Sequence, residues 1–187
     1  MRGLFRLQAP VAVVDAATVM SHLRVSDAGE QTIIESYRDA ATRMCEQHTG
    51  YAIGQQRWRL SLPAFSGSSI RIPLPPLVSV QSVKYYDLNG VIQTVDTSAY
   101  YVDPNRLLGE VTIKPGMSWP VVLGRSDAVM IDFTCGNASV DADMVAAILL
   151  LTGHLYENRE AVTGFTLSEL PWGVESLLSP YKVPVCA

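Results

Sequence analysis

The hydrophobic period of this chain changes twice, and no other feature restricts the fold as strongly. Between about residues 15 and 50 the apolar positions recur at helical spacing. From Gln55 to Thr134 they recur every second residue, and from Asp141 the helical spacing returns. A helix presents a stripe about every 3.6 residues, whereas a strand alternates sides, so one regular structure cannot serve all three stretches. The pattern predicts an α+β protein. Its core is a small helical bundle of three main helices, with an antiparallel β unit inserted between helices two and three.

The details follow from local chemistry. Asp15 is placed to cap a first helix over 15–24, with Val19 and Leu23 on its apolar stripe. Asp27 followed by Glu30 resembles a capping box and starts a second helix over 27–50. There Ile33, Ile34, Tyr37, Ala41, Met44, Cys45 and His48 share a face, and Gly50 supplies the stop. Over 55–135, Trp58, Leu60 and Leu62 alternate with Arg57, Arg59 and Ser61. Ile70–Ile72, Val78–Tyr86, Val91–Val95, Tyr100–Asp103, Glu110–Lys114 and Val129–Thr134 read as further short strands, with Asn89-Gly90 a tight turn. Pro73, Pro75 and Pro76 keep their segment out of a central strand. A third helix spans 141–160. Its Met144–Leu151 run is apolar nearly all round and must be covered on more than one side, by helices one and two or by a neighbouring subunit. Residues 1–13 carry no period and read as an arm or extended lead-in. Residues 161–187 form a Pro-punctuated C-terminal segment with a turn of helix around Val174–Leu178.

Composition narrows the class. Of 187 residues 48% are hydrophobic, ample for a core, and the disordered class is excluded. The net charge of −4 comes without a block of like charges, so the sequence shows no clustered Lys/Arg footprint for gripping duplex DNA. Cys45, Cys135 and Cys186 are odd in number and far apart, which suggests neither a disulfide framework nor a zinc site and fits a reducing cytoplasm. The longest apolar stretch is far shorter than the roughly 20 residues of a membrane helix, and the N-terminus lacks a signal-peptide pattern. The expectation is a soluble protein with no membrane partner.

Candidate chemistry has a plainer explanation at each position. Cys45 and His48 lie at i, i+3, a spacing that a metal or a Cys/His pair uses, yet both fall on the apolar stripe of helix two. His22 and His154 have no spacing to a carboxylate and a nucleophile. The scattered glycines form no phosphate loop. Asp141 with Asp143, and Glu157 with Glu160, sit at helix ends where dipole and solvation account for them. Trp58 between Arg57 and Arg59 has the composition of a single-strand-binding patch, but in a strand the arginines point away from the Trp face. No catalytic residue, metal or cofactor is expected, so the chain does not read as an enzyme. The polar cluster Tyr156, Glu157, Asn158, Arg159 and Glu160 is either the solvated end of a buried helix or a contact to another subunit. Composition leaves both open.

Several separated segments, in order, resemble the tailed-phage head–tail connector (adaptor) family, the ring docked directly beneath the portal. They are Val19-Met20-Ser21-His22-Leu23-Arg24-Val25, with Ser21 where that family often has lysine or another polar residue, and Cys45-Glu46-Gln47-His48-Thr49-Gly50. Gln56-Arg57-Trp58 and the Ile72–Val80 stretch rich in proline come next. Tyr85–Gly90, Tyr100-Tyr101-Val102 and Trp119-Pro120 follow, and Ala147–Glu160 is the most specific match. The likeness spans about 14–160. It implies a structural ring subunit, twelve-fold to match the portal, made in the host cytoplasm and carried in the neck of the virion. The implied partners are further copies of itself, the portal protein, a downstream neck or tail protein, and double-stranded DNA that passes through the lumen without sequence-specific binding. On this reading the contacts come from Tyr156–Glu160 and from Leu177, Leu178 and Tyr181 in the C-terminal segment. Competing readings are another neck or tail-completion protein, a DNA-binding packaging module, and a small hydrolase or metal enzyme built on Cys45 and His48.

Overall fold

A computed structural model describes residues 3–158 and 171–184. Among these residues are four α-helices and two antiparallel sheets, which corrects the expected three-helix bundle with one inserted β unit. The helices are α1 (Ala16–Leu23), α2 (Gln31–Thr49), α3 (Ala142–Glu157) and α4 (Trp172–Leu178). The strands are β1 (Leu4–Gln8), β2 (Gln56–Leu62), β3 (Ser69–Arg71), β4 (Leu77–Tyr86), β5 (Ile92–Thr94), β6 (Tyr100–Asp103), β7 (Glu110–Ile113) and β8 (Val129–Cys135). They pair in the orders β1-β2-β8-β4-β5 and β3-β7-β6. The chain divides into a β unit, residues 1–11 with 54–137, and a helical unit, residues 12–53 with 138–187.

Each departure from the expectation has a local cause. β1 is an edge strand with four of its five residues exposed, so it carries no alternation for a period search to find. β3 and β4 belong to different sheets, and the segment between them carries Leu74 at a left-handed φ of 65°. α4 lies where a turn of helix was expected, around Val174–Leu178, and is a full seven-residue helix with Val174 and Leu178 as its buried anchors. Asp27 caps a short 3₁₀ turn, Ala28–Glu30, through Gly29 N–H, so α2 begins four residues after it.

In the β unit, β8 is the central strand. Val129, Ile131, Phe133 and Cys135 lie on one face and are fully buried, while Met130, Asp132 and Thr134 lie on the other. Register places Trp58, Leu60 and Leu62 of β2, and Val80, Val83 and Tyr85 of β4, on the first face. From Tyr85 a run of aromatic contacts leads through Phe65 and Trp119 to Tyr100 of the small sheet, with Phe65 and Trp119 stacked at 4.6 Å. Gln56 accepts from the Trp58 indole N–H at 3.0 Å.

In the helical unit, Val19, Ile34, Ala41, Cys45, Met144, Ala147, Ile148, Leu151, Val174 and Leu178 form one buried cluster. The covering that the apolar α3 requires comes from α1, α2 and α4 of the same chain. Of its large hydrophobic side chains only Leu150, 46% exposed, is left open. Asp15 caps α1 by accepting from Thr18 N–H at 2.6 Å, and Gly50 ends α2 at φ 72°, as expected. No helix among the described residues is long and apolar enough to cross a membrane.

Two glycines test the close packing of the β unit. Gly116 and Gly136 both have positive φ, 82° and 89°. A Cβ at Gly116 meets open space, whereas one at Gly136 runs into the carbonyl of Gly54. Urea denaturation is expected to show Gly116→Ala costing about 1–2 kcal/mol from backbone strain. Gly136→Ala should cost roughly 1–3 kcal/mol more from the clash. Equal costs would contradict the approach of these two loops.

Candidate assembly surfaces

The residues singled out as contacts fall into two groups. Tyr156 is held inside the helical unit: its ring meets Tyr37 edge-on at 6.5 Å and its hydroxyl donates to Glu30. Leu178 is fully buried, Leu177 packs against the same core, and Tyr181 donates to Asp141 at 2.9 Å while its ring meets Tyr51. These aromatic clasps tie the ends of α3 and α4 into the bundle. Glu157 and Asn158 face solvent. Asn158 also closes α3, its side-chain amide donating to the His154 carbonyl at 2.8 Å. Arg159 and Glu160 lie outside the described residues.

Of the Cys45 and His48 pair, Cys45 is committed to packing and His48 is half-buried at the end of α2. Cys45 is fully buried in the helical core, and burial, reinforced by the adjacent Glu46 charge, pushes its thiol up to about 12. A thiol held protonated in this way is neither a ready nucleophile nor a ready metal ligand. Among the described residues no group of three or more His, Cys, Asp or Glu side chains is placed to hold a metal.

A surface that sequence reading missed lies on the outward-facing rows of the large sheet. Register sets Arg57 beside Thr134 and Ser79, Arg59 beside Asp132 and Ser82, and Ser61 beside Met130 and Lys84. Arg59 grips Asp132 with two hydrogen bonds, Nε to Oδ1 at 2.6 Å and a second to Oδ2 at 2.9 Å. The Arg59 bond, with the further positive charges of Lys84 and Arg57, holds the Asp132 carboxyl below its ordinary 3.8. One carboxylate therefore sits among three cations. Arg125 extends the row, its guanidinium 3.9 Å above Tyr86 and paired with Asp127. At the other end Gln8, Gln55, Arg57, Ser79 and Thr134 line a shallow cavity of about 180 Å³. A signal was present: a lone Asp in the apolar run Val129–Phe133 calls for a partner, since a buried carboxylate is stable only when paired. As expected, Arg57 and Arg59 lie across the sheet from Trp58. The cation over Trp58 is Arg6 of β1, at 4.9 Å, which sequence order alone does not place there.

Over 97% of its length the chain is similar to a chain in the neck of an empty gene transfer agent (GTA) particle computed with C6 symmetry. The TM-score is 0.80 at 26% identity, and 95% of that chain is covered. A chain in the virion of the native gene transfer agent particle matches at TM-score 0.80 and 25% identity, over 98% of this chain and 96% of the other. A chain from the neck of the native particle, computed with C12 symmetry, shares the fold at TM-score 0.70 and 23% identity, over 95% and 96% of the two chains. No protein-family model matches the sequence, and no curated protein does.

The Arg59–Asp132 clasp generates a pH prediction. Because the folded Asp132 titrates below its unfolded value, the clasp contributes stability in full above about pH 4 and loses it as pH falls through the folded value. Asp132→Asn should cost about 1–3 kcal/mol at pH 7. The variant's stability should also fall less steeply than the parent's below pH 4, as measured by denaturant midpoints. A variant with the parent's midpoint at pH 7 would show the clasp to be idle.

Proposed function

We propose that this chain is a structural subunit of a ring in the neck of a tailed-phage-like particle. In this role it docks below the portal, extends the DNA channel and joins the head to the neck or tail. The observation that carries the reading is the whole-chain match to a neck chain of a gene transfer agent particle, at TM-score 0.80 and 26% identity. Both chains are covered almost end to end, so the likeness is not that of one shared motif. Independent support comes from the ordered segments between Val19 and Glu160 that resemble the connector family. The role is structural and non-enzymatic: the kin are particle components, and the Cys45 thiol is occupied by packing.

A ring grows by contacts between two different patches of identical subunits and closes when the rotation does. The sixfold symmetry applied to the related neck favours a ring number of six or a multiple of it, and twelve is the number the connector resemblance implies. Exposed Glu157 and Asn158 at the end of α3 remain contact candidates. The C-terminal segment is the candidate for the portal. DNA passes through the lumen without sequence-specific binding. Another position in the neck, such as a tail-completion ring, is the nearest alternative, because the related virion and neck chains do not by themselves distinguish adjacent rings.

Copy number tests the reading. Quantitative mass spectrometry of purified particles that carry the chain should give about twelve copies per particle, matching the portal. Hundreds of copies, as in a capsid shell, or a substoichiometric trace would overturn it.

A further inference from the structure

The division of the chain into two units also divides its charge. Among the described residues the β unit holds eight Lys and Arg against six Asp and Glu, a net of +2; the helical unit holds four against ten, a net of −6. The overall −4 conceals this opposition. On the β unit the excess is concentrated where Arg57, Arg59 and Lys84 share one sheet face with a single carboxylate, Asp132. Ser79, Gln81 and Thr134 complete that face with hydrogen-bonding groups, Gln81 donating to Thr134 at 2.8 Å. On the helical unit Asp143, Glu157 and Glu175 are exposed and belong to no ion pair among the described residues.

We infer that the cationic face of the large sheet is a subunit–subunit surface, and that its occupant is the acidic helical unit of a second copy of this chain. The inference rests on the ring reading and deepens it by naming which surfaces meet. A head-to-tail ring needs two different, complementary patches on one subunit, and opposite charge on two separate units supplies them. The same opposition disfavours like-to-like pairing, β unit on β unit or helical unit on helical unit, which would bring charges of one sign together. Duplex DNA is the other polyanion a basic face could meet. The second copy is favoured because each subunit carries its own complement, and because the face mixes Asp132 and neutral acceptors among its cations.

Lys84 makes the test direct. The chain has three lysines, and Lys84 is the one on this face. Particles are assembled from an equal mixture of ¹⁴N- and ¹⁵N-labelled chain and treated with a carbodiimide, which joins an amine to a carboxylate only when they touch. Mixed-isotope peptides are expected that link Lys84 to a carboxylate of residues 12–53 or 138–187. Links from Lys84 to another protein would overturn the inference. So would Lys84 free of interchain links and labelled by an amine reagent only after nuclease digestion, the DNA outcome. In parallel, the double variant Arg57→Glu, Lys84→Glu should be retained on particles at least about tenfold less than the parent. The control Arg71→Glu, Lys114→Glu, with the same charge change at the end of β3 and just after β7, should be retained normally. Equal retention of the two variants would overturn the inference while leaving the ring intact. Absence of the parent chain from the particle would overturn the ring reading itself.

Discussion

Strand β8 is the constraint on which the β unit depends. It is paired along its length on both sides, by β2 and by β4, and its two faces do different work. One face, Val129, Ile131, Phe133 and Cys135, is wholly removed from water and carries much of the hydrophobic stabilisation of the unit. The other carries Asp132, whose bond to Arg59 fixes a side chain of β2 and orients the cationic row of the sheet. A slip of one residue in this strand would exchange the two sets and bury the carboxylate without its partner, so the register is strongly specified. The clasp and the apolar face therefore enforce the same pairing.

The helical unit solves a different problem. α3 is apolar over most of its circumference, and the solution is enclosure by α1, α2 and α4, with aromatic clasps at the ends: Tyr156 to Glu30 and Tyr37, Tyr181 to Asp141 and Tyr51. An apolar helix that looked in want of a neighbouring subunit is largely satisfied within its own chain. The case for assembly consequently moves from hydrophobic need to charge and shape. Polar, charge-complementary contacts suit a subunit that must fold before it joins a ring, because its core is already closed.

How much of this was readable in the sequence depended on whether a signal was local. α1 and α2 announced themselves through Asp15, the stripe from Ile33 to His48, and Gly50, each a signal carried within or directly beside the helix it marks. The alternation around Trp58 and the Asn89-Gly90 turn marked β2 and the β4–β5 hairpin for the same reason. β1 left no trace because an exposed edge strand has no face to alternate. The second sheet stayed hidden because β3 pairs with β7, a strand distant in sequence, and local alternation does not encode such a partnership. The site shows the same limit. Arg57 and Arg59 were visible, but their relation to Lys84 and Asp132, across three strands and about 75 residues of chain, is a product of pairing. For the helix-end cluster, composition left two readings. The structure gives Tyr156 and Asn158 intrachain tasks and leaves Glu157 facing solvent.

A place in a ring at the neck of the particle is open to direct observation. Focused cryo-electron microscopy of the intact particle, reconstructed without imposed symmetry around the head–tail junction, provides it. A closed ring beneath the portal is expected, into each repeat of which the β unit and the helical unit both fit. Density for the chain in the capsid shell or at the tail tip, with none at the neck, would contradict it.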